Sequence, residues 1–241
     1  MRIHVADTLS VGARLTLPEA AGHHVARVMR RREGDPLTLF DGAGVEVSAH
    51  IVSVERRAVV VQIDKRLTAL AESPLLTHLG LAIGKGDRMD FAIQKATELG
   101  LNALTPLYTD FGDVRLKGER AQKKRDHWQA VAISACEQCG RATVPVIHPE
   151  RALSDWLEAR DETLRLVLHP RGAGRALPDR TPTGAALLIG PEGGLSDAEL
   201  ASAHQHGFAS WILGPRVLRM ETAPVAALAL LQARFGDIDL F

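Results

Sequence analysis

Residues 190 to 194, Gly190, Pro191, Glu192, Gly193 and Gly194, end an apolar run in "LLIGPEGGLSDAEL" and place a carboxylate in a glycine-rich turn. Turns of this kind between a strand and a helix usually cradle phosphates with backbone N–H groups, and an acidic side chain repels that ligand. The turn also lacks the G-K-[ST] ending of a P-loop and the spacing of a dinucleotide fingerprint. Glu192 suits a ligand with hydroxyl or amino donors or a positive charge, while the N–H groups of a helix start can still hold a carboxylate. A zwitterionic nucleoside meets both demands; a bare tight turn with Glu192 in solvent also fits.

A second turn repeats the arrangement. "ASWIL" ends at Gly214 and Pro215, and "RVLRMET" leads into the last helix. Ligands of open parallel sheets sit beyond the carboxyl ends of the strands, where adjacent loops part. Both loops meet that requirement.

Other reactive residues point less far. Cys136 and Cys139 in "CEQC" are too few for a disulfide framework and lack a second pair for structural zinc. The pairs His23 and His24, and His204 and His206, lack the spacing of a helical metal site, so no metal is expected. Basic side chains cluster at Arg27, Arg30, Arg31 and Arg32, and again from Arg115 to Arg125 with Lys123 and Lys124. The formal net charge is zero, from 29 basic and 29 acidic residues, so such clusters act locally as phosphate docking sites or are solvated faces. Trp128, among Val131 and Ala132 on a helix, reads as core before it reads as a base-stacking residue.

These residues need elements to hold them. Up to residue 70 the chain is β-rich: "RIHV", "PLTLF", "VEVSAHIVSV" and "AVVVQI" run close to a period of two, with "DGAG" as a hairpin turn and a helix after Pro18. "LTALAESP", residues 67 to 74, ends in proline and reads as a boundary. From residue 75 to 241, apolar runs alternate with helical patterns, which predicts an α/β class with a mostly parallel sheet. Helices are expected from Asp90 to Leu99, Glu119 to Cys139, Leu153 to Arg160, Asp197 to His206 and Ala223 to Phe235. Ser196 and Glu199 form the S-x-x-E capping box of the fourth. No run of about 18 apolar residues and no signal-peptide h-region occurs, so a soluble, cytoplasmic protein without membrane contact is expected.

"LLIGPEGGLSDAEL" with "ILGPRVLRMETAPVAALALLQARFGD" resembles the C-terminal signature of the ribosomal RNA small-subunit methyltransferase E family. "GKGDRMDFAIQKATELGL", "ACEQCGRATVPVI", "LVLHPRG" and "HHVARVMRRREGD" extend the match over nearly the whole chain. The resemblance implies a knotted SPOUT methyltransferase domain (residues 75–241), an N-terminal PUA-like β-barrel for RNA (residues 1–70), and a homodimer. It implies S-adenosylmethionine as cofactor and N3 of a uridine in the 16S rRNA of the small subunit as acceptor. Carried over by position, the cofactor pocket comprises Leu168, His169 and Pro170, then Gly190 to Gly194, then Leu213, Gly214, Arg216, Val217, Leu218 and Arg219. Lys85 and Arg88 join Arg27, Arg30, Arg31, Arg32, Lys123, Lys124 and Arg125 as expected RNA contacts. Taking the imide proton from N3 leaves negative charge to stabilise, a role for Arg219 or Arg216, with Glu221 as the nearest base. The family usually has threonine where Met220 stands. A non-catalytic RNA-binding assembly factor, or a methyltransferase acting on another RNA such as tRNA, would share much of this pattern.

Overall fold

The computed structural model of the chain describes residues 1–55, 58–169 and 177–239. The chain divides into two units, Met1–Ala71 with Ile133–Val144, and Glu72–Ala132 with Pro145–Phe241. The sequence suggests an unbroken second domain from residue 75; the structure instead groups residues 133–144 with the first unit.

In the first unit, β1 (Arg2–His4), β2 (Arg14–Thr16), β3 (Pro36–Phe40), β4 (Glu46–Val54) and β5 (Val59–Arg66) form one sheet in the order β1-β3-β4-β5-β2. The alternation in β4 and β5 sends Val47, Ala49, Ile51, Val59, Val61 and Ile63 into one core with Ile3, Leu37 and Leu39. Strand β2 escapes sequence reading because three residues carry too little periodicity. The Asp41 carboxylate accepts from the N–H groups of Ala43 (2.8 Å) and Val45 (2.9 Å), which makes "DGAG" the turn between β3 and β4. Helix α1 (Glu19–His23) runs on as a π-turn, His24–Val28.

The "CEQC" stretch is structural. Buried Cys136 packs with Phe40 and Ala142, its thiol directed at the Thr143 carbonyl at 3.5 Å. Glu137 accepts from the His4 N–H at 3.0 Å.

The second unit is a parallel sheet in the order β12-β10-β11-β6-β7-β8, with β9 paired to β7. Its strands are β6 (Leu76–Ala82), β7 (Ala103–Tyr108), β8 (Val146–Ile147), β9 (Arg151–Ala152), β10 (Leu164–Leu168), β11 (Gly184–Ile189) and β12 (Ala209–Trp211). Strand β11, central and wholly buried, reads "GAALLI" with no alternation, as a strand covered on both faces should. The helices are α2 (Arg88–Glu98), α3 (Gly118–Cys139), whose last turns from Ile133 belong to the first unit, α4 (Leu153–Glu158), α5 (Asp197–Gln205) and α6 (Thr222–Phe235), each within two residues of its expected bounds. Trp128 is core, 2% exposed. No helix among the described residues is long and apolar enough to cross a membrane.

On one face of this sheet, Trp156 of α4 lies against Gly80 of β6 and packs with Leu107, Val167, Leu188, Leu195 and Phe208. Beside it, His78 is held between Thr105 Oγ1, 2.8 Å from its Nε2, and the Arg160 guanidinium, which donates to Nδ1. Arg160 carries only donors, so Nδ1 of the His78 ring accepts. Burial first, then the Arg160 charge, then His148 and Arg151, push the His78 pKa down to about 3.

A folded pKa below the unfolded value means that the unfolded chain takes up the proton first as pH falls. The contribution of neutral His78 to stability is therefore present above about pH 6.5 and is lost as pH falls toward 3. Urea titrations from pH 7 to 4 should show stability falling by up to about 1.4 kcal/mol per pH unit from this one group. His78→Gln should flatten that slope; an unchanged slope would assign the loss elsewhere.

Candidate functional site

The loops after β6, β7, β10, β11 and β12 all leave the carboxyl edge of the parallel sheet. A cavity of about 680 Å³ opens there. Its wall is built from Leu168 and His169 after β10, Gly190, Pro191, Glu192, Gly193 and Gly194 after β11, and Leu213, Gly214, Arg216, Val217, Leu218, Arg219 and Met220 after β12. The two turns singled out in the sequence therefore meet on one cavity, and Leu168 and His169 join them. Pro170 lies outside the described residues.

The turn's chemistry follows from its packing. Gly194 takes a φ of +80°, which an L side chain rarely adopts, and has open space where a Cβ would stand. Gly190 has no room for one, because Leu195 Cγ would lie 2.9 Å away. Bare backbone thus faces the cavity.

Glu192 is paired. The guanidinium of Arg88, first residue of α2, forms an ion pair with its carboxylate, both side chains about half exposed. The strand order explains the meeting: β6 and β11 are neighbours, so the loops that follow them leave the sheet side by side. Lys85, in the same loop as Arg88, pairs with Asp113 after β7, and that contact holds the Asp113 carboxyl below the usual carboxylate range. Two of the expected RNA contacts thus have their charge balanced by loop carboxylates.

The capping box forms as expected: Ser196 Oγ accepts from Glu199 N–H at 3.2 Å, and Glu199 Oε2 accepts from Ser196 N–H at 2.9 Å. Glu199 also accepts from Asp110 N–H at 2.8 Å, and Ser196 Oγ donates to Asp110 Oδ2 at 2.6 Å. The box therefore clamps the loop after β7 to the start of α5.

Arg216 and Arg219 are exposed on the cavity wall, and neither is paired with a carboxylate among the described residues. The Arg219 backbone is fixed, because its carbonyl accepts from the N–H groups of Thr222 and Ala223 at 2.9 Å each, opening α6. Its guanidinium remains uncommitted. Glu221, at the N-cap of α6, is not part of the cavity wall, and its Oε2 is buried without a hydrogen-bond partner. Met220 is 3% exposed and fills the space beside Gly84, where a Cβ would meet its Sδ at 2.7 Å. Met220, where the resemblance implies threonine, is thus a packing site.

The remaining basic residues do not line the cavity. Lys123 pairs with Glu119 at 2.9 Å and Arg125 bonds Gln122, while Lys124 is exposed. Arg27, Arg30 and Arg32 are exposed beside the π-turn, with Arg31 half-buried.

A family model described as an RNA methyltransferase domain matches residues 71–232, and one described as an RNA methyltransferase PUA domain matches residues 17–64. Ribosomal RNA small subunit methyltransferase E of Buchnera aphidicola subsp. Schizaphis graminum is 35% identical over 99% of this chain and 98% of its own length. A methyltransferase from Legionella pneumophila, solved with the cofactor SAM bound, is 42% identical with a TM-score of 0.95 over 98% of both chains. Ribosomal RNA small subunit methyltransferase E from Neisseria gonorrhoeae, solved bound to S-adenosyl methionine, is 37% identical with a TM-score of 0.92 over 98% of both chains.

Proposed function

The chain belongs to the ribosomal RNA small subunit methyltransferase E family, and from that premise we propose that it transfers a methyl group from S-adenosylmethionine to N3 of a uridine in 16S rRNA of the small ribosomal subunit. The observation that carries this reading is the cavity where both glycine-bearing loops meet, with Arg216 and Arg219 exposed on its wall and paired with no carboxylate among the described residues. Its volume suits a small ligand, and bare glycine backbone allows close approach by a nucleoside. With Glu192 paired to Arg88, the turn does not repel the cofactor's carboxylate.

Bound there, S-adenosylmethionine supplies an electrophilic methyl group on its sulfonium. Residues 190–194 and 213–219 hold it through backbone groups. Arg219 stabilises the charge that spreads onto the flanking carbonyl oxygens once the N3 proton passes to solvent water, N3 then taking the methyl group as S-adenosylhomocysteine leaves; Arg216 offers the same chemistry from the same loop. Glu221 is the nearest carboxylate in sequence; its place at the N-cap of α6, outside the cavity wall, favours a role in setting that loop. A homodimer and a cytoplasmic setting, where ribosomal subunits are found, belong to the same proposal. So does the trefoil knot.

The first unit supplies RNA docking in this reading. Arg30 has a φ of +51°, the one non-glycine in the left-handed region among the described residues. An L residue held there costs about 1 kcal/mol or more, which glycine avoids. Arg30→Gly should therefore raise the stability of the protein by about 1 kcal/mol and weaken RNA binding, with a shallower salt dependence. A variant that is both more stable and unchanged in RNA affinity would remove Arg30 from the docking surface.

Incubation with methyl-labelled S-adenosylmethionine and, separately, small subunits, large subunits and tRNA tests the proposal. Label should enter the small subunits. Label in tRNA alone would replace the substrate, and no label in any RNA despite calorimetric cofactor binding would favour a binding factor.

A further inference from the structure

The loop after β7 carries a large aromatic side chain into solvent. Phe111 is 55% exposed, and single exposed apolar residues are ordinary on protein surfaces. Its setting is not. A Cβ on Gly193 would lie 3.2 Å from Phe111 Cβ, so the absence of a side chain in the cavity-lining turn lets the phenylalanine approach it.

The loop is also pinned at both ends and in the middle. Asp110 is clamped by Ser196 and Glu199, Gly112 N–H donates to the Thr109 carbonyl at 3.1 Å, and Asp113 pairs with Lys85. Beyond them, Arg115 donates to the Thr109 carbonyl at 3.1 Å, and the Tyr108 hydroxyl donates to the Leu116 carbonyl at 2.6 Å. Such anchoring fixes where the Phe111 backbone stands, yet among these contacts none covers the ring. Val217, 81% exposed, lines the cavity that Gly193 also lines and is a second exposed apolar side chain there.

We propose that Phe111 is the stacking platform for the acceptor base, holding an extruded pyrimidine beside the cofactor turn. This rests on the methyltransferase reading above. A flat apolar face suits a base whose hydrogen-bonding edge must stay free for deprotonation, and base-on-aromatic stacking tolerates any base identity. Phe111 sets position and leaves the choice of uridine to other groups. Phe111 is not among the residues that line the cavity, so cofactor binding should not depend on its ring.

The test uses Phe111→Trp and Phe111→Ala in the full chain. The native Trp128, Trp156 and Trp211 are all at most 7% exposed, so the new indole is the exposed reporter. Titration with a uridine-containing single-stranded oligonucleotide, at saturating S-adenosylhomocysteine, should quench Phe111→Trp emission and leave wild-type emission unchanged. Phe111→Ala should bind cofactor like wild type and lose methyl transfer by on the order of tenfold or more, with Phe111→Trp restoring it. An unquenched indole, or an alanine variant that turns over like wild type, overturns the platform. If wild-type protein methylates no ribosomal RNA, the functional reading fails instead, and the quenching result still decides whether Phe111 meets bases.

Discussion

Replacing Arg219 with alanine is expected to slow methyl transfer by about two to three orders of magnitude while leaving S-adenosylmethionine affinity within a few fold. The separation follows from where the parts of this residue lie. Its backbone carbonyl opens α6, a role that alanine keeps, whereas its guanidinium stands exposed on the cavity wall without a carboxylate partner among the described residues. Such a cation is available to charge that develops only during reaction, and groups of that kind act on kcat more than on binding. Single-turnover kinetics with calorimetry check this directly. Equal losses in affinity and rate would make Arg219 a binding residue, and a full effect at Arg216→Ala instead would exchange their roles.

Trp156→Ala is the substitution expected to destabilise the second unit most, by about 3–5 kcal/mol, a large share of a typical domain's stability. The ring is 1% exposed and fills the slot left by Gly80, where a Cβ would lie 2.7 Å from it. It also meets His78 edge-on, packs at an angle on Phe208 and lies under the Arg160 guanidinium. Truncation removes all of these contacts at once and leaves a cavity on one face of the sheet. Leu188 and Leu195 share that core and flank the glycine turn, so cofactor affinity should fall along with the urea midpoint. Trp156→Phe should lie between the two. An alanine variant with a wild-type midpoint would show that the cluster can collapse around the loss.

Much of this architecture was legible because the signals are local. The uninterrupted "GAALLI" run marks a buried parallel strand, and Ser196 with Glu199 marks where α5 begins. The two turns at Gly190 and Gly214 could be placed on one sheet edge by topology alone, and the cavity wall includes both. What stayed hidden depends on partners far apart in sequence. Nothing near Glu192 announces Arg88, because the pairing exists only where β6 and β11 lie side by side. The capping box gives no hint that Asp110 will enter it from another loop. Cys136 and Cys139 invite a redox question that packing against Phe40 answers for Cys136, and Met220, a departure from the resembled motif, shows its packing role only with Gly84 beside it. Phe111 carries no periodic or motif signal at all; its anchored loop and its closeness to Gly193 distinguish it.

The most direct measurement is the identity of the methylated nucleoside. Small subunits methylated by the protein are digested to nucleosides and resolved by mass spectrometry with chromatographic standards. A single new peak of 3-methyluridine from 16S rRNA is the predicted result. Methylation on the ribose, on C5 of uridine or on another base would contradict the account, because the uncommitted arginines on the cavity wall would then be serving a different reaction.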